Sequence, residues 1–130
     1  MSGRARSILV GFDGSDAAER ALDAAADLVG CGSRLTVVHV VPEDETGDRV
    51  NGNGVLDRAR ERLVRRQLTA RYIEPARGEA GATLLETAES LGADLVVVGR
   101  RERNALRRLW LGSVSARVVR RAECDVLVVR

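Results

Sequence analysis

The run Val96-Val97-Val98-Gly99, followed after twelve residues by Gly112-Ser113-Val114, is the stretch of this sequence best suited to chemistry. A buried strand that ends at Gly99 and a helix that opens near Ser113 would frame an anion site. Helix starts carry unpaired N–H groups and a partial positive charge. Gly112 lets backbone come close to a phosphate, and the Ser113 hydroxyl adds a donor. The same Gly-Ser pair also reads as an ordinary loop end with a serine cap, and spacing alone leaves both readings open. Arg100, Arg101, Arg103, Arg107 and Arg108 lie between the two ends, with Glu102 as the one acid among them. Such a cluster attracts a polyphosphate or simply solvates a surface loop. Leu109 and Trp110, apolar in a polar segment, are expected to fold back onto the core or a partner chain.

Other candidates are sparser. Asp13 follows the first apolar run, where its carboxylate can accept hydrogen bonds from an adenine or ribose, or close an Asx-turn before a helix. The two roles are compatible. His39 is the only histidine and reads as a satisfied strand residue. Cys31 and Cys124 form no CxxC pair and read as buried or half-buried thiols. No carboxylate pair, metal-spaced cluster or nucleophile motif stands out, so catalytic and metal-ligating residues are expected to be absent and a hydrolase is disfavoured.

Elements that would position these residues follow from the periodicity. Ser7 to Phe12 predicts a buried strand broken by Asp13-Gly14-Ser15. Residues 16 to 29 predict a helix with Ala18, Ala21, Leu22, Ala25, Leu28 and Val29 on one face. Asp16 with Glu19 resembles a capping pair, and Gly30 and Gly32 supply the stop. Leu35 to Val41 is a second strand, ended by Pro42. Glu43 to Gly54 reads as a polar loop, and 55 to 68 as a charged helix with Leu56, Ala59, Leu63 and Leu68 inward. Thr69 to Pro75 is less apolar, as an edge strand would be. Gly78 and Gly81 mark a turn. Leu84, Leu85, Ala88 and Leu91 make a third helix closed by Gly92. Leu95 to Val98, the most apolar strand, is expected at the centre. Val114, Val118 and Ala122 predict a fourth helix, and Val126 to Val129 a last strand. This alternation predicts one α/β domain over residues 1 to 130, a doubly wound five-stranded parallel sheet with helices on both faces. Ligands of such sheets bind at the carboxyl ends of strands where the winding reverses. That places Asp13, Val40 and Gly99 around one crevice.

Composition narrows the partners. In 130 residues, 45% are hydrophobic and 31% charged, as in a globular domain. Aromatics are 2%, a poor platform for stacking bases, and the net charge is only +2, so no nucleic-acid partner is expected. The chain has no lysine, which removes Schiff-base chemistry and a Walker-type phosphate lysine. No run approaches a membrane span and no signal peptide is evident, so a cytoplasmic protein without membrane contact is expected.

Four blocks carry a family resemblance. Ile8-Leu9-Val10-Gly11-Phe12-Asp13-Gly14-Ser15 with Glu19-Arg20-Ala21-Leu22 is similar to the opening of universal stress proteins. Leu35 to Val41, Gly92 to Gly99, and Gly112-Ser113-Val114-Ser115 through Cys124 to Val129 resemble their later strands and ending. The resemblance implies a parallel five-stranded fold and a homodimer paired through the last strand, Val126 to Val129. One branch of the family binds ATP, with Mg2+, through a Gly-x2-Gly-x9-Gly-Ser/Thr pattern. Carried over by position, Asp13 and Val40 would hold the adenosine, and Gly99, Arg101, Gly112, Ser113 and Val114 would line the phosphates. Glu102 replaces the middle glycine of that pattern. A carboxylate about 4 Å from a phosphate costs on the order of 1 to 4 kcal/mol. Asp125 likewise replaces a proline common before the last strand. The implied function is an ATP-responsive stress regulator weakened by Glu102. The alternatives are a dimeric interaction module without ATP and, less favoured, an adenylate-using enzyme of a related fold. No particular protein partner is indicated.

Overall fold

The computed structural model describes residues 6–39, 50–74, 80–99 and 124–130. Five strands run β1 (Ser7–Gly11), β2 (Arg34–Val38), β3 (Arg71–Ile73), β4 (Leu95–Gly99) and β5 (Asp125–Val129). Among the described residues, three helices connect β1 to β4 in turn: α1 (Asp16–Asp27), α2 (Val50–Arg65) and α3 (Ala80–Leu91). All four pairings are parallel, in the order β3-β2-β1-β4-β5. The helix expected after Ser113 and the arginine-rich segment before it lie outside the described residues.

Alternation along the strands sorts the core into two layers. Ile8 and Val10 of β1, Leu35 and Val37 of β2, and Leu95 and Val97 of β4 face α1 and α2. Leu9, Val38, Val96 and Val98 face α3, where Leu84 and Ala88 are buried. Right-handed crossovers require this division. The chain steps outward from β1 to β2 to β3 with its helices on one face, then returns to β4 with α3 on the other. The winding therefore reverses between β1 and β4, the doubly wound arrangement expected from the sequence. Among the described residues β3 pairs only with β2 and is an edge strand, also as expected.

Several boundaries differ from the sequence reading. The middle strand is β1; β4 is interior and fully buried, between β1 and β5. α2 begins at Val50, so residues 50–54 are helical despite two glycines and belong to no loop. α3 begins at Ala80, so Gly81 is helical rather than part of a turn. α1 ends at Asp27, and Leu28, placed on its inner face by the periodicity, is 45% exposed. The helix cap is Ser15, not Asp16: its Oγ accepts from Ala18 N–H at 3.1 Å. Cys31, expected to be buried or half-buried, is exposed, because it sits in the turn between α1 and β2 rather than within either element. Gly92 does close α3, with φ +64° and Ala93 N–H donating back to Ala88 C=O.

Candidate functional site

β1 ends at Gly11, and the next four residues form a tightly tied turn. Phe12 N–H donates to Val38 C=O at 2.9 Å and anchors the turn to β2. Asp13 Oδ1 accepts from Ser15 N–H at 2.9 Å, an Asx-turn. Gly14 takes φ +84°, a region open to glycine and strained for other residues. Ser15 then caps α1, accepting from Ala18 N–H with its side chain and from Glu19 N–H with its carbonyl. The Asp13 carboxylate is thereby fixed and half-buried at the carboxyl end of the central strand. A fixed carboxylate is a hydrogen-bond acceptor that loses little entropy when a ligand's N–H or O–H reaches it. Such an acceptor can take an N–H or O–H of a nucleoside.

Gly99 ends β4, the strand next to β1. The structure gives it a packing role. A Cβ at this position would overlap the Ala17 carbonyl and stand 2.9 Å from Ala18 N. Glycine here lets the first turn of α1 press directly on the strand end. Asp13 and Gly99, singled out separately in the sequence, are thus joined by one chain of contacts: Asp13 to Ser15, Ser15 to Ala18, and Ala17-Ala18 to Gly99. Both stand where the winding reverses, the place at which doubly wound sheets bind ligands. His39, one residue past β2, is buried, and its backbone N–H donates to Ile73 C=O at 3.1 Å. Val40, Arg101, Gly112, Ser113 and Val114 lie outside the described residues, as do Glu102 and Trp110.

The sequence reading missed one group at this end of the molecule. Arg58, Arg62 and Arg66, four residues apart on and just beyond α2, face Glu19, Asp23 and Asp27, four apart on α1. Arg62 grips Asp23 with two hydrogen bonds of 2.8 Å, and Arg66 reaches Asp27. The hydrogen bond from Arg62 holds the Asp23 carboxyl below its ordinary value, against the opposing effect of partial burial. Arg58, at the head of the row, pairs with Glu19 and also donates from Nη2 to Gly14 C=O at 3.0 Å. The matched four-residue spacings were present in the sequence; only the parallel packing of the two helices shows that they meet.

Among the described residues there is no group of three or more His, Cys, Asp or Glu that could hold a metal ion, and no helix long and apolar enough to cross a membrane.

The profile of the universal stress protein family matches residues 4–130. Universal stress protein YxiE of Bacillus subtilis is 35% identical over 95% of this chain and 97% of its own. A universal stress protein family structure from Burkholderia pseudomallei is 34% identical, with a TM-score of 0.69 over 95% of this chain and 94% of that one. A universal stress protein crystallised in complex with cAMP is 27% identical, with a TM-score of 0.74 over 96% of this chain and 97% of that one.

Proposed function

Because the chain belongs to the universal stress protein family, we propose that it is a regulatory protein that responds to an adenine nucleotide, with no catalytic residue of its own. The observation that carries this reading is Asp13, tied by its Asx-turn at the carboxyl end of β1 beside the reversal of winding. The relative crystallised with cAMP supports the ligand class. The correct spacing from Gly99 to Gly112-Ser113 supports phosphate binding by the segment between them, with ATP and Mg2+ as the ligand and Glu102 lowering its affinity.

The same reading includes a homodimer through β5. This strand pairs only with β4 among the described residues, and Leu127 and Val128 are 36% and 38% exposed. That apolar edge also favours a second reading, in which the chain is a dimeric interaction module without ATP. A carboxylate at 102 points the same way.

Titration with ATP and Mg2+, and with cAMP, separates the two. Trp110, the only tryptophan, reports by fluorescence, and calorimetry guards against a silent probe. Saturable binding supports the nucleotide reading; flat responses in both assays to millimolar ligand reject it. Glu102→Gly should tighten ATP about tenfold by removing a like charge near phosphate. Unchanged affinity would show that Glu102 does not face the ligand.

A further inference from the structure

We infer that Arg58 is a positioning residue that holds the Asp13-Gly14-Ser15 turn in its ligand-ready shape; the ligand part of this inference rests on the proposed nucleotide reading. The turn is braced by its own atoms through Asp13 and Ser15, and by β2 through Phe12. The brace from α2 is the Arg58 guanidinium, which donates to Gly14 C=O at 3.0 Å. Its Nη1 also lies 3.3 Å from where a Cβ on Gly14 would be, with Val55 Cγ2 at 3.6 Å. Gly14 is therefore covered by α2 on the side where it lacks a side chain. Without this cover the positive-φ glycine, the most permissive link in the turn, has more conformations to visit.

Arg58 is itself held in register. Glu19 takes Arg58 on one carboxylate oxygen at 3.4 Å and lies 3.7 Å from Arg62 on the other. Arg62 and Arg66 then fix α2 along α1 through Asp23 and Asp27. The row of ion pairs ends on the one carbonyl that lies between Asp13 and the helix cap. Exposed pairs of this kind add little to overall stability. The Arg58 side chain is 56% exposed, so its removal should leave the fold intact and loosen the turn.

Hydrogen exchange in the free protein, followed by NMR, tests this without any ligand. The Ser15 amide, bonded to Asp13, should exchange about fivefold faster in Arg58→Ala, while Val10 and Val97 amides in the sheet keep the parent rate. Arg65→Ala removes the same charge from the same helix and should leave Ser15 unchanged. Arg58→Lys, still able to donate to Gly14, should restore much of the protection. A parent-like Ser15 rate in Arg58→Ala, or an equal rise at Val10 and Val97, overturns the inference.

Calorimetry with ATP and Mg2+ supplies the second arm. Arg58→Ala should weaken binding about fivefold, and Arg58→Lys less. Parent affinity in Arg58→Ala overturns the positioning role. If the parent chain itself binds no nucleotide, the proposed function and the ligand part fall, and Ser15 exchange still decides whether Arg58 holds the turn.

Discussion

At one margin of the sheet β3 offers only Arg71 to Ile73, and Arg60 lies over the Tyr72 ring at 4.8 Å. Beside it α2 is fastened to α1 by the arginine row. At the other margin β5 offers five residues, with Leu127 and Val128 exposed and Asp125 the one charge. Short edge strands and nearby cations discourage pairing with another chain, whereas a longer apolar edge invites it. Among the described residues, the two margins of one sheet thus differ in kind: one is short and flanked by arginines, and the other carries the exposed apolar side chains on which the proposed dimer rests.

The contrast breaks most readily at β5. Leu127→Asp with Val128→Asp should weaken self-association at least about a hundredfold, by placing charge in an apolar contact. Sedimentation velocity would show monomer at concentrations where the parent is dimeric. A parent that is already monomeric would end the dimer proposal. Ile73→Asp on β3 should leave the association state as it was; dissociation there would reverse the comparison.

A smaller effect is expected in the helix pair of the β3 margin. Asp23→Asn should cost about 0.5 kcal/mol at neutral pH, given its exposure to solvent. Asp23 has its carboxyl held down by Arg62, so its contribution is present above the ordinary value of 3.8 and fades as pH falls through the lowered one. Urea melts should therefore show the gap between parent and variant closing in acid. A gap that widens on acidification would contradict the assignment. Arg60→Ala should cost about as much or slightly less, by loss of its ring contact with Tyr72. A melt indistinguishable from that of the parent would remove this contact from the account of the β3 edge.

A last check reads reactivity rather than stability and concerns the cysteines, one before β2 and one before β5. Cys31 is exposed; Cys124, just before β5, has its thiol pushed up by burial and by the charges of Asp125 and Asp94. A maleimide at neutral pH should label Cys31 first, by about tenfold. Faster labelling of Cys124 would show that the start of β5 is more open than its burial implies.

The parallel sheet was legible because β1, β2, β4 and β5 hold near-continuous apolar runs and stretches of helical period separate the early strands. The central strand was misjudged because hydrophobicity reports burial, not position: Val96 and Val10 are equally buried in neighbouring strands. The early start of α2 was hidden by Gly52 and Gly54, whose weak helix propensity outweighed every other local signal. Within the site, Asp13 was legible as a turn residue at a strand end. The cap was misplaced by one residue because Ser15 and Asp16 are both good capping types. Arg58 was invisible for a different reason: its target is a backbone carbonyl 44 positions away, and backbone carbonyls leave no mark in a sequence.

The absence of a side chain at Gly99 has a mechanical consequence. With backbone resting on backbone between α1 and β4, no compressible group absorbs a displacement. The head of the helix and the end of the strand cannot approach further without backbone overlap. The turn that holds Asp13 and the tip of β4 therefore share one close-packed contact through the first turn of α1.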